Sequence, residues 1–166
     1  MISIVQGDIV AQETDAIVNA ANEMLAAGSG VSGAIHAAAG HHLELECLQL
    51  RRCPPGESRI TLGYRLKARF VIHAVAPRYW NGTRGEAEVL RKTYCSIFEL
   101  ALKKKIQSIS IPAIGTGIYR YPILEATQIA FEVASKYAHT LEIKFVCFDQ
   151  KAFDIYVSVS KNFHLQ

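Results

Sequence analysis

The 166-residue sequence contains no long apolar run, no block of like charge and no cysteine-pair motif. No stretch approaches the roughly 20 apolar residues that a membrane-spanning helix needs. The N-terminus also lacks the basic-then-apolar pattern of an export signal, so a cytoplasmic protein without membrane attachment is expected. The net charge is only +3, from 18 basic and 15 acidic residues. Lys103-Lys104-Lys105 is the one basic triplet, and it reads as the end of a helix, where lysines complement the helix dipole. Nothing in this balance asks for a nucleic-acid partner. The four cysteines are Cys47, Cys53, Cys95 and Cys147. Without an export signal they are not expected to form disulfides. Cys95 and Cys147 lie in apolar surroundings and read as buried thiols. Cys47 and Cys53, beside His41 and His42, match no common zinc spacing, so no metal site is expected. No Pro/Gly/Ser linker and no repeat interrupts the chain. Residues 1–166 therefore read as a single domain, long enough to bury a full core.

What is present is an alternation of strand and helix patterns. Short runs rich in β-branched residues predict strands at Ile2–Gln6, Ala16–Val18, Arg59–Leu62, Phe70–Val75, Ser108–Ile111 and Ile143–Phe148. Helices are predicted at Val31–Ala39, Leu43–Arg52, Gly85–Lys104 and Ile123–Tyr137. A final helix is marked by Ala152, Ile155, Tyr156 and Val159. In Gly85–Lys104, residues Leu90, Tyr94, Ile97, Phe98 and Ala101 recur at three- and four-residue spacing and form one apolar face. Cys53-Pro-Pro-Gly56 stops the helix before it. The pattern predicts an α/β fold: a mixed, largely parallel sheet with helices on both faces. Ligands of such sheets bind beyond the carboxyl ends of the strands. Gly7-Asp8-Ile9, Asn19–Asn22, Ala113–Tyr119 and Phe148-Asp149 all follow strands and should converge on one edge.

Two glycine-rich segments stand out there. Gly28-Ser-Gly-Val-Ser-Gly33 fits G-x-G-x-x-G, but nine residues separate it from Val18, which ends the preceding strand. Glu44 and Glu46, the acids that follow, fall in a helix rather than at a strand end. This reads as a phosphate loop and not as an NAD(P) loop. The alternative is a helix N-cap with flexible glycines. In Gly115-Thr116-Gly117-Ile118-Tyr119 the glycines permit close backbone approach or positive φ, and Thr116 offers a hydroxyl. Other residues each have two readings. Asn19 and Asn22 either make turns with their own backbone or bind a ribose diol through the carboxamide. Asp8 is a cap or an acceptor for an exocyclic amine. Tyr119 is a surface aromatic or a cover for a sugar, and Phe148 is core or a stacking platform for a base. His36 and His73, in apolar surroundings, read as satisfied core histidines.

Taken together, these segments resemble the macrodomain family of ADP-ribose-binding modules, and most of all its MacroD-like branch of hydrolases. The resemblance rests on Gln6-Gly-Asp-Ile9, Asp15–Asn22, Gly28–Gly40, Thr61-Leu-Gly-Tyr64, Val71–Pro77 and Ile111–Pro122, in family order along nearly the whole chain. It implies a three-layer macrodomain fold. It also implies binding of ADP-ribose and ADP-ribosylated proteins by a monomer, with no cofactor. Asp8 would accept from the adenine amine, the Ile9 backbone would address the ring, and Phe148 would lie against it. The Gly115–Tyr119 backbone would hold the diphosphate, with Gly28, Gly30 and Val31 opposite. Asn22 would bind the distal ribose, while Asn19 is structural. The implied activity is hydrolysis of mono-ADP-ribosyl groups on acidic side chains, of O-acetyl-ADP-ribose, or both, and the alternative is a reader that does no chemistry. Asn22, Gly30, Tyr119 and Ser32 are the catalytic candidates. The family pattern is Gly-Val-Asp-Gly where this chain has Gly30-Val31-Ser32-Gly33, and serine is a very poor base near neutral pH.

Overall fold

A computed structural model describes residues 1–164. Six strands form one sheet in the order β1-β6-β5-β2-β4-β3. They are β1 (Ile2–Gln6), β2 (Ala16–Ala20), β3 (Ser58–Leu62), β4 (Phe70–Ala74), β5 (Ser108–Ile111) and β6 (Glu142–Cys147). Every pairing is parallel except β3 with β4. The central strands β2 and β4 are covered on both sides, which is why they read as nearly continuous apolar runs. The antiparallel edge strand β3 is mostly half-buried.

Successive strand residues serve opposite faces. On one face α3 (Glu86–Lys103), α4 (Ile123–Ala134) and α5 (Gln150–Ser160) pack Tyr94, Phe131 and Tyr156 against Val18, Ile109 and Phe145. On the other, α1 (Gly30–Ala39) and α2 (His41–Leu50) pack Ile35, Leu43 and Cys47 against Ile17, Val71 and Val146. These are the three layers expected of a macrodomain. The predicted face of α3 is buried throughout: Leu90, Tyr94, Ile97, Phe98 and Ala101 are all fully enclosed. Each large apolar side chain there is worth about 1.5–3 kcal/mol of burial. Among the described residues no helix is long and apolar enough to cross a membrane.

Several predicted boundaries move by a few residues. Strand β2 runs to Ala20, so Asn19 lies inside the sheet opposite His73 rather than in the loop beyond it. Helix α4 ends at Ala134, and turns carry the chain through Tyr137. Two short 3₁₀ helices, Ile9–Ala11 and Lys161–Phe163, lie outside the predicted elements. Cys95 is half-buried rather than buried.

Candidate functional site

The carboxyl ends of β2, β4 and β5 open onto a cleft of about 190 Å³. One wall is Asn22 with Gly28–Ser32, and the other is Ala113–Gly115 with Gly117–Tyr119. Ala20, Ala21 and Ala76 complete the lining, and their small side chains leave the space open. Ala20, Ala21 and Ala113 belong to the segments that the sequence brings to this edge, whereas Ala76, just past the end of β4, lies outside them.

Helix α1 begins at the first wall, and Gly30, Val31 and Ser32 of its first turn line the cleft. Ser29, the N-cap, makes no side-chain cap. First-turn amides and the helix dipole are thus offered to an anion in the cleft. Gly33 is required by close approach: a Cβ there would lie 2.5 Å from the Gly28 carbonyl oxygen. In the second wall Gly115 has φ +83, and a Cβ on it would meet Ala76 at 3.2 Å. A side chain would strain that turn. Thr116 does not line the cleft; its hydroxyl donates to the Ala113 carbonyl at 2.8 Å, inside its own loop.

The Asn22 carboxamide lines the cleft while closing its own loop. Nδ2 donates to the Ala26 carbonyl and Oδ1 accepts from the Ala26 N–H, both at 3.1 Å. The turn reading of Asn22 therefore holds without removing it from the site. Ser32 is buried, and its Oγ accepts from the Gly28 N–H at 3.4 Å. His36, one turn later, is also buried, and neither ring nitrogen has a partner. This corrects the reading of His36 as a satisfied core histidine. His73 does fit that reading. Asn19 Nδ2 donates to its Nδ1 at 3.1 Å, and Nε2 pairs with Thr61 Oγ1 at 2.9 Å.

Beyond the cleft, β1 and β6 end side by side, with Gln6 in register with Cys147. The Gly7 N–H donates to the Cys147 carbonyl at 2.9 Å. Asp8 and Phe148 follow directly. Phe148 is 82% exposed, which overturns the core reading and leaves a free aromatic face at the strand ends. Asp8 is exposed, and its Oδ1 accepts from the Val10 N–H at 3.1 Å, capping the 3₁₀ turn. Ile9 buries its side chain in the α1/α2 layer.

At the opposite end Tyr119 is half-buried. Burial raises its pKa, with Glu23 adding and Arg78 opposing. Its carbonyl accepts from the Tyr79 N–H at 2.8 Å, docking the loop of residues 77–85 beside the second glycine wall. That loop is folded around the buried Glu86 carboxylate, which accepts from the N–H groups of Trp80, Asn81, Gly82 and Arg84 at 2.6–3.2 Å. Desolvation alone would raise the Glu86 pKa, but these backbone donors overcome it and hold it at about 2. The clamp was missed in the sequence, where a glutamate opening a helix looks like an ordinary dipole partner.

The Macro domain family model matches residues 18–130. This chain is a macrodomain. A macro domain-containing protein of Mesorhizobium japonicum is 47% identical over 160 residues, covering 94% of this macrodomain and 91% of that protein. An O-acetyl-ADP-ribose deacetylase of Citrobacter rodentium is 44% identical over 163 residues, covering 93% and 92%. Among solved structures, the Oceanobacillus iheyensis macrodomain with ADP superposes with a TM-score of 0.91 at 39% identity, covering 96% of this chain and 90% of that one. The Trypanosoma brucei macrodomain in complex with ADP-ribose gives 0.88 at 38% identity, covering 96% and 68%.

Proposed function

We propose that the cleft binds ADP-ribose and that the macrodomain hydrolyses the bond at its distal ribose. The carrying observation is the meeting of two glycine-rich walls, one headed by a helix N-terminus without a side-chain cap. This is a receptor for a diphosphate. Relatives named as O-acetyl-ADP-ribose deacetylases, and similar structures holding ADP or ADP-ribose, support the ligand. In this reading Phe148 stacks on adenine, Asp8 accepts from its amine and the Ile9 backbone addresses the ring. The backbone from Gly115 through Ile118 holds the diphosphate against Gly28, Gly30 and Val31. Asn22 and Tyr119 hold the distal ribose. Water then adds to the anomeric carbon, and a carboxylate leaves as free acid; for O-acetyl-ADP-ribose, water cleaves the ester to acetate.

Ser32 supplies no base, so rate would come from orientation and from the amides around the developing charge. The same residue favours a second reading, a reader that binds ADP-ribose without turnover. Incubation with mono-ADP-ribosylated protein, with released ADP-ribose measured, separates the two.

Binding is tested at Asp8. Asp8→Asn keeps an oxygen for the Val10 cap but turns an amide N–H₂ toward the adenine amine. An affinity loss of about 1–3 kcal/mol in titration calorimetry is expected, with an unchanged melting temperature. Wild-type protein giving no heat with ADP-ribose would remove the whole reading.

Chemistry is tested at Ser32. Ser32→Asp places a carboxylate in the first turn of α1, where the dipole favours it. Single-turnover rates at saturating enzyme should rise about 10- to 100-fold. Asn22→Ala should slow both backgrounds. A fast wild type and an equal or slower Ser32→Asp variant would show that positioning by the glycine loop and Asn22 suffices.

A further inference from the structure

The rim beyond Tyr119 carries a cluster of cations that the proposed cleft chemistry leaves unused. Arg84 lies over the Trp80 ring with its guanidinium carbon 4.9 Å from the centroid, and Arg78 does so at 5.9 Å. Trp80 is 59% exposed, and both arginines are exposed. Arg120 follows Tyr119, whose carbonyl is tied to the Tyr79 N–H, so it joins the same rim. Its φ is +61, a conformation that glycine adopts at lower cost, yet the chain carries a cation there.

These charges are not held in direct ion pairs. Among the described residues, no ion pair includes Arg78, Arg84 or Arg120. Of the nearby acids among the described residues, Glu125 sits by Tyr121 without an ion pair, and three others are engaged elsewhere. Glu23 pairs with Arg52 at 3.5 Å, Glu88 pairs with Arg91 at 3.4 Å, and Glu86 is consumed by the loop amides. The loop is also rigid where it matters. Glu86 fixes its backbone, and the Tyr79 ring packs on Tyr121 at 4.9 Å. Stacked guanidiniums on a fixed loop lose little freedom when they bind a carboxylate through two parallel hydrogen bonds.

Topology says what reaches them. Strand β4, which this loop follows, lies on the far side of β2 from β5, β6 and β1. A ligand with its base at Asp8 and Phe148 therefore runs across the glycine walls toward Tyr119. Whatever is attached to its distal ribose emerges beside residues 77–85. Resting on the function proposed above, we infer that Arg78, Arg84 and Arg120, with Trp80 as holder, bind an acidic polypeptide segment flanking the modified side chain of an ADP-ribosylated protein. A nucleic-acid strand fits less well. The Trp80 ring is engaged by guanidiniums rather than open to a base.

The test uses two synthetic mono-ADP-ribosylated peptides with the same non-hydrolysable linkage, one flanked by Asp and Glu and one by Ser and Gly. Anisotropy with the full chain at low salt should show about tenfold tighter binding of the acidic peptide, declining as salt rises. Combining Arg78→Ala, Arg84→Ala and Arg120→Ala should erase that preference and leave free ADP-ribose affinity unchanged. Lysine at the same positions should keep part of it, which damage to the loop would not allow. Equal affinity of wild type for the two peptides overturns the inference. So does competition by a single-stranded oligonucleotide that exceeds competition by the unmodified acidic peptide. Free ADP-ribose failing to bind would instead remove the function on which the inference rests.

Discussion

Gly117→Val is expected to abolish ADP-ribose binding while leaving the fold intact. In the free protein nothing lies within 4 Å of a Cβ built at Gly117, and its φ is outside the left-handed region. The Cβ of a valine there therefore strains no turn and meets no neighbour. The sequence alone leaves positive φ open at both glycines of this turn, and the structure places it at Gly115, where φ is +83. What Gly117 leaves open is the cleft that it lines. A β-branched side chain would occupy the room meant for the diphosphate and hold it away from the loop amides. Affinity should fall by about 100-fold or more, which is roughly 3 kcal/mol. Calorimetry against ADP-ribose, paired with far-UV circular dichroism and a melting curve, checks both halves. A folded variant that binds as wild type would show that the second glycine wall does not touch the ligand. Gly115→Val is the contrasting case, expected to lower the melting temperature as well.

The second large effect is acid sensitivity centred on His73. This imidazole is fully buried, and burial, with His36 nearby adding, pushes its pKa down to about 3. Burial lowers His36 too, opposed by Glu44. The hydrogen bonds suit the neutral ring. Asn19 Nδ2 donates to Nδ1, so Nε2–H donates to Thr61 Oγ1, whose own proton goes to the Leu62 carbonyl. A second proton on Nδ1 would face an amide donor. An unfolded imidazole protonates near pH 6.5, so below that value the unfolded chain binds a proton that the folded chain refuses. Stability should be flat with respect to these rings above about pH 7 and fall as pH drops from 6.5 toward 3. At pH 4.5 the His73 contribution alone reaches about 3 kcal/mol. Urea unfolding at a series of pH values, followed by circular dichroism, should give a slope of about one to two protons between pH 6 and 5. His73→Asn should reduce that slope even though it is less stable at neutral pH. No pH dependence of stability between pH 7 and 5 would refute the account.

The local elements and the position of the cleft were legible because they depend on short-range rules. The spacing of Leu90, Tyr94, Ile97, Phe98 and Ala101 forces one face of α3 inward, whatever surrounds it. Glycines directly after apolar β-branched runs mark strand ends, and parallel strands bring those ends to one edge. Residue order by itself therefore places Asn22, Gly30, Gly117 and Tyr119 near one another. Side-chain partnership was not legible, because it joins residues far apart in the chain. Whether Phe148 is core or free depends on whether any element covers its side chain just past β6, and at 82% exposure none does. Whether a buried histidine is satisfied depends on what the neighbouring strand presents. Asn19 and Thr61 arrive at His73 through β2 and β3, while nothing arrives at His36. The Glu86 clamp and the Arg78–Trp80–Arg84 stack join residues only two to six positions apart, yet they too depend on how the loop after β4 closes on the start of α3. Hydrophobic periodicity decides which face of an element is buried. The pairing of polar groups is decided by which elements end up adjacent, and only the tertiary structure determines that.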